Sequence, residues 1–210
     1  MQIGVYEFPD LNAIDDDGFV AAGGDLLPAT MIDAYQHGLF PWHNSLYGPC
    51  WYCPNPRMVL YPENLHVQKS MRPYLNGNRF TFTMNEAFSD VLEGCASVPR
   101  EGQAGTWIWD EYREAMLALH EQGVAISGEA WENNTLVGGF YGLYMNGVLH
   151  GESMFSRTSN ASKYAFIKMV KSLTSLRMVD CQVPIEHLKR LGAEEMSRDL
   201  FLSRLSEFRT

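Results

Sequence analysis

The stretch V-A-I-S-G-E-A-W-E-N-N-T-L-V-G-G-F-Y-G-L-Y-M-N-G-V-L-H-G-E-S-M-F, residues 124–155, decides the fold. Its apolar and aromatic runs at 124–131, 136–144 and 148–155 read as three strands. Asn133-Asn134 and Asn146-Gly147 separate them, and such pairs suit hairpin turns, whose central residues need positive φ. Downstream, 160–176 reads as a helix, 177–183 as a strand and 184–191 as a short helix; a strand near Ala193 and a helix over 198–208 follow. Upstream, 79–84 reads as a strand and 85–96 as a helix with Phe88, Val91, Leu92 and Cys95 on one face. A helix over 110–122 is closed by Gly123. This order predicts an α+β fold, a mixed sheet flanked by helices and largely antiparallel in its first half. Residues 1–65, rich in Pro, Gly and aromatics, read as a small N-terminal α+β domain, and 66–210 as the second domain. The first contains a helix over 28–37, begun by Pro28 and ended by Gly38.

Two polar clusters interrupt the strand-like stretches: G-E-S-M-F-S-R at 151–157 and D-C-Q-V at 180–183. A carboxylate buried in a strand must be paired, hydrogen-bonded or functional, because an unpaired buried charge is costly. Asp180 and Gln182 stand two apart, so a regular strand would project both from one face. From Arg157 to Arg190 there are seven bases against two acids, which is either a solvated helix face or a contact for a phosphate-bearing ligand. Residues 1–33 carry seven acids and no Lys or Arg, within a net charge of −9. Trp42 and Trp51 read either as core or as a ligand-facing edge beside their Pro and Arg neighbours.

An apolar fraction of 46% supports a globular core, and no apolar run is long enough to predict a membrane span. The opening residues lack the basic head and apolar stretch of a signal peptide, so a cytoplasmic home is expected. Cys50-x-x-Cys53, flanked by Trp51, Tyr52 and Pro54, reads as packing rather than zinc or redox chemistry, and no metal site is expected.

The element order is that of the GNAT acyltransferase fold. A CoA-binding member carries R/Q-x-x-G-x-G/A at the start of its central helix, where backbone N–H groups hold the pyrophosphate. Here the segment is R-T-S-N-A-S, 157–162, without glycines, which argues against an acyl-CoA enzyme.

Eight strings occur in order at fitting intervals. They are A-A-G-G-D-L (21–26), G-L-F-P-W (38–42), P-N-P-R-M-V-L (54–60), G-T-W-I (105–108), L-V-G-G-F-Y-G (136–142), G-E-S-M-F-S-R (151–157), N-A-S-K (160–163) and D-C-Q-V (180–183). Together they resemble the leucyl/phenylalanyl-tRNA–protein transferase family across nearly the whole chain. The resemblance implies a small N-terminal domain and a GNAT-like domain that uses aminoacyl-tRNA instead of acyl-CoA. It implies transfer of Leu, Phe and, less readily, Met to proteins beginning with Arg or Lys, which then enter N-degron degradation. No cofactor is implied, and the protein reads as a monomer that binds no membrane. A non-catalytic module that binds charged tRNA or peptide N-termini is the rival reading from another class.

By the same resemblance, Gln182 hydrogen-bonds the attacking amine, and Asp180 either polarises Gln182 or relays the proton. Glu152 binds the amino group of the esterified residue or the cationic acceptor. Phe140, Leu149, Phe166, Met169 and Leu173 line the side-chain pocket; the last three share a helix face by spacing. Trp42 and Trp107 lie near the terminal adenosine, and Lys69, Arg72 and Arg79 hold the tRNA. Where the family commonly reads H-S-V-E, this chain has Ile126-Ser127-Gly128-Glu129, which puts the role of the His and the acceptor preference in question. The thin basic cluster, with Pro73 inside it, predicts salt-sensitive tRNA binding. Cys53 stands where a small polar residue is usual, with no consequence that the sequence explains.

Overall fold

The computed structural model describes residues 2–3, 6–44, 46–97 and 108–209. A short ribbon, β1 (Gln2–Ile3) and β2 (Tyr6–Glu7), precedes β3 (Phe19–Ala22) and helix α1 (Pro28–Gln36). With β4 (Phe40–Asn44) and β5 (Gly48–Tyr52), β3 forms a three-stranded antiparallel sheet in the order β3-β5-β4. Next come β6 (Arg57–Leu60), α2 (Arg72–Asn76), β7 (Thr81–Met84), α3 (Phe88–Ala96) and α4 (Asp110–Glu121). The central hairpins are β8 (Ala125–Glu132), β9 (Thr135–Met145) and β10 (Val148–Ser156). The chain then runs through α5 (Ala161–Ser172), β11 (Met178–Gln182), α6 (Glu186–Lys189), β12 (Glu194–Met196) and α7 (Arg198–Arg209). The sequence reading of an α+β fold with helices flanking a mixed sheet is borne out.

The hairpin turns have the geometry that their residues demand. Asn133 and Asn134 take φ of 51° and 59°, and Asn146 and Gly147 take 51° and 78°. Two-residue turns of this hand match the twist of the strands they join. The larger sheet runs β12-β6-β11-β10-β9-β8-β7 among the described residues. Its pairs are antiparallel except β10–β11, which is parallel and connected through α5. Gly138 and Gly139 let helices close on both faces of β9. A Cβ on Gly138 would lie 2.5 Å from Ala161 Cβ of α5, and one on Gly139 would lie 2.8 Å from Val91 Cγ2 of α3.

Strand β6 lies within the 1–65 segment but pairs with β11 and β12 in the larger sheet, so the chain leaves the small sheet after Tyr52. One apolar core runs from Tyr35, Phe40 and Trp51 through Phe88 and Tyr112 to Tyr141 and Leu143, joining the two sheets. Trp51 is core: it is buried and its Nε1 donates to Gly23 O at 2.9 Å. Buried Arg198 at the start of α7 donates to the carbonyls of Leu11, Ile14, Asp15 and Cys53, fastening the C-terminal helix to the N-terminal segment. Its charge is therefore met by oriented carbonyl dipoles rather than by a carboxylate. Cys50, Cys53, Cys95 and Cys181 are buried free thiols. No described helix is long and apolar enough to cross a membrane.

Candidate active site

The site opens where the two parallel strands part. Strands β10 and β11 pair only through Val148–His150 and Met178–Asp180. Beyond that point both are irregular: β10 shifts register between Gly151 and Ser153, and β11 between Asp180 and Gln182. Bulges re-aim side chains: Glu152 is left out of the β9–β10 ladder and Cys181 out of the β6–β11 ladder, while Gln182 still pairs with Met58.

Regular alternation would set Asp180 and Gln182 side by side. Instead Gln182 adopts φ 63°, a region few non-glycine residues occupy, and the two side chains go to different partners. Asp180 holds this turn by accepting the Gln182 backbone N–H at 3.0 Å. Arg57 grips the same carboxylate bidentately, Nε to Oδ1 at 2.8 Å and Nη2 to Oδ2 at 2.7 Å, and His150 Nδ1 donates to Oδ2 at 2.9 Å. The Arg57 guanidinium lies between the rings of Phe40 and Phe201, 4.8 and 4.5 Å from their centroids. Burial would raise the Asp180 carboxyl, but the Arg57 charge and the Arg57 and His150 hydrogen bonds hold it well below the usual carboxylate range. Asp180 is thus an ionised anchor, and it reaches Gln182 through the backbone rather than the amide.

The carboxylate that touches the Gln182 amide is Glu152. Gln182 Nε2 donates to Glu152 Oε1 at 2.8 Å, Tyr35 Oη to the same oxygen at 2.8 Å, and Tyr112 Oη to Oε2 at 2.5 Å. With Nε2 so engaged, Gln182 Oε1 remains as an acceptor on the cavity wall. Burial raises the Glu152 carboxyl to about 7, and the Asp180 charge adds to it; the bonds from Tyr112, Tyr35 and Gln182 act the other way. Burial and the neighbouring Glu152 charge push both phenols well above their usual range, so both remain donors at neutral pH. Neither Arg157 nor Lys163, the cations nearest in sequence, pairs with Glu152.

Glu152 and Gln182 face a cavity of about 390 Å³. Its apolar wall is Phe140, Met154, Phe166, Val179, Ile185 and Leu188, with Cys181 and His187 beside them. Phe140 and Phe166 meet edge to face at 5.1 Å. Leu149 and Met169 are fully buried behind this wall, and Leu173 packs at the margin of the core; none of the three lines the cavity. Helical spacing identified the face shared by Met169 and Leu173 but not which of its residues the opening reaches, and Leu149 lies on β10 where it still pairs with β11, short of the opening. Trp42 is exposed on β4, edge to face with Phe40 and tilted against Tyr52, and Trp107 lies outside the described residues. The described neighbour Trp109 bridges His43 and Tyr112, with ring centroids 4.7 and 5.1 Å away.

Lys69 is exposed in the 3-10 turn before α2, and Arg72 is exposed at the start of α2. Arg79 is exposed too, but its Nε donates to Glu132 Oε1 at 2.8 Å and its guanidinium lies over Tyr74 and Phe80. The Ile126–Glu129 segment lies on β8, away from the cavity. There Glu129, fully buried, accepts from Ser127 Oγ at 2.5 Å and from Thr83 Oγ1 at 2.7 Å. The site residues that sequence reasoning missed are Tyr35, Arg57, Tyr112, His150 and His187. Arg57 carried a signal, a cation in the apolar run R-M-V-L that needed a buried partner; tyrosines in amphipathic helices carried none.

Residues 24–55 match the family model described as leucyl/phenylalanyl-tRNA protein transferase N-terminal domain, and 59–206 match leucyl/phenylalanyl-tRNA protein transferase. The chain belongs to the leucyl/phenylalanyl-tRNA protein transferase family. It is an enzyme of the aminoacyltransferase class. Relatives bearing that transferase's name include one from Christiangramia forsetii, 50% identical over 93% of this chain and 94% of its own. One from Flavobacterium psychrophilum is 47% identical over 95% and 96%, and one from Pseudomonas paraeruginosa is 44% identical over 97% and 92%. Among solved structures, a GCN5-related N-acetyltransferase from Kribbella flavida superposes with a TM-score of 0.39 at 12% identity, covering 78% of this transferase and 58% of that chain. That likeness is too distant to carry an argument.

Proposed function

We propose that the enzyme transfers Leu or Phe, and less readily Met, from aminoacyl-tRNA to the α-amine of proteins beginning with Arg or Lys. The products would be marked for N-degron degradation, in the cytoplasm. The observation that carries this reading is the apolar cavity walled by Phe140 and Phe166 and bordered by Glu152 and Gln182. An aminoacyl ester is already activated, so its aminolysis needs a neutral amine, close approach and a path for one proton. An α-amino group titrates at about 7.7–8.0, which leaves a useful neutral fraction at pH 7.

In this reading the Leu or Phe side chain enters the apolar wall. One methylene changes binding by only about 1–3 kcal/mol, so leakage to Met follows. Gln182 Oε1 accepts an N–H of the attacking amine and aims its lone pair at the ester carbonyl. Asp180 holds the Gln182 backbone for that task, and Arg57 holds Asp180. Glu152 supplies the negative charge facing the ammonium of the esterified residue. Trp42 and Trp107 stack at the terminal adenosine, and Lys69, Arg72 and Arg79 meet tRNA phosphates.

The test is transfer of labelled Leu or Phe from charged tRNA to peptides beginning with Arg, Lys, Asp or Ala, with Asp180→Ala and Gln182→Ala alongside. Transfer confined to the Arg and Lys peptides and lost in both variants is expected. Equal transfer to all four peptides would remove the acceptor assignment. Charged-tRNA binding without transfer would favour a binding module instead.

A further inference from the structure

Aminolysis of an ester moves one proton twice. The attacking nitrogen sheds a proton as the N–C bond forms, and the departing ribose oxygen gains one as the C–O bond breaks. Gln182 does not titrate. Asp180 is locked between Arg57 and His150. Glu152 is engaged by three donors on its two oxygens. Burial pushes the Cys181 thiol far above its ordinary value, so no thiolate forms there.

His187 is different. It lines the same cavity, and neither ring nitrogen has a hydrogen-bond partner among the described residues. Its short helix α6 is well braced. Leu188 is buried, the Ile185 N–H donates to Met58 Sδ at 3.4 Å, and Lys189 Nζ pairs with Glu195 at 2.7 Å. A half-buried imidazole whose nitrogens have no hydrogen-bond partner among the described residues, held on a braced turn beside a reaction cavity, is placed to exchange protons with what the cavity holds.

We propose that His187 carries the proton of the transfer reaction, accepting it from the attacking α-amine and returning it to the ribose oxygen of the departing tRNA. The inference rests on the transfer function argued above. The step balances: one N–C bond forms, one C–O bond breaks, and the proton moves from nitrogen to imidazole to oxygen with no oxidant or metal. The titratable and charged groups around His187 are Glu152 on β10, Cys181 on β11, Lys163 on α5, and Glu186 and Lys189 on its own helix. Burial first, and the Lys163 charge second, lower its pKa, which keeps the imidazole neutral and able to accept at neutral pH.

The test uses full-length wild type, His187→Gln and His187→Ala in single-turnover transfer of labelled Leu from charged tRNA to a peptide with N-terminal Arg. His187→Gln should slow transfer by about 10²-fold, the lower end of what general acid–base catalysis contributes, with charged-tRNA binding unchanged. Added imidazole should restore His187→Ala. The rescue should track the neutral form of the added base and rise with base strength across substituted imidazoles. A His187→Gln enzyme at wild-type rate, or a slow His187→Ala enzyme that imidazole leaves unmoved, would overturn the assignment. Wild type that transfers nothing to the Arg peptide would overturn the function itself, and this inference with it.

Discussion

Replacing Glu152 by Gln should change how stability depends on pH. Burial raises the Glu152 carboxyl from its ordinary 4.5 to about 7 against the pull of three hydrogen bonds. Between those values the folded protein binds a proton that the unfolded chain has lost, so this group's contribution falls as pH rises through that window. Taking about 1.4 kcal/mol per pKa unit, the loss between about pH 5 and pH 8.5 is about 2–3 kcal/mol. The Gln variant carries no such proton. Its single acceptor oxygen must serve Tyr35, Tyr112 and Gln182, which adds a penalty that does not vary with pH. Urea unfolding of both proteins across this range, compared at equal m-values, isolates the term because all other titrating groups are shared. The stability difference should move by about 2–3 kcal/mol in favour of the Gln variant as pH rises. A flat difference, or one moving towards Glu152, would mean that the three hydrogen bonds outweigh burial and that Glu152 is an ordinary ionised carboxylate.

Arg57→Met leaves Asp180 buried without its cation and should cost about 3–5 kcal/mol in urea unfolding, with much of that recovered in Arg57→Met/Asp180→Leu. Because the Asp180 carboxyl is held low, wild type should keep this contribution above the ordinary carboxylate pKa and lose it as pH falls below. Lys69→Glu and Arg72→Glu should each weaken charged-tRNA binding and flatten its salt dependence by about one phosphate contact, measured by filter binding across salt concentrations. Arg79→Ala should do less, since its guanidinium is already paired with Glu132. Gly128→Val places a Cβ 3.1 Å from Met169 Cε and Phe82 Cε2. It should lower stability by about 1–3 kcal/mol in thermal unfolding while transfer persists, because position 128 is outside the cavity wall.

The strands, their turns and the two helices over 85–96 and 110–122 were legible because periodicity and turn chemistry are local. Asn146-Gly147 can make few other turns between apolar runs, and structure formed there as the dipeptide requires. The carboxylates were legible for a similar reason: Glu152 and Asp180 stand inside runs whose neighbours are core, and Asp180 is fully buried while Glu152 is half-buried at the cavity. The pocket was half legible. Phe140 and Phe166 reach it, whereas Leu149 and Met169 serve the core behind it.

What each carboxylate does was decided only by the tertiary structure. Asp180 and Gln182 sit two apart in the sequence, but a register shift in β11 separates their side chains. The partners that set the two environments lie far along the chain: Arg57 is 123 residues from Asp180, Tyr35 is 117 from Glu152, and Tyr112 is 40 from it. A strand pattern determines that a side chain is buried, because burial follows from the alternation of its immediate neighbours. Whether such a group meets a guanidinium or two phenols depends on which distant strand pairs beside it and which distant helices pack against the sheet: Arg57 comes from β6, Tyr35 and Tyr112 from α1 and α4. That is why two acids in similar-looking strands end with pKa values on opposite sides of the ordinary one.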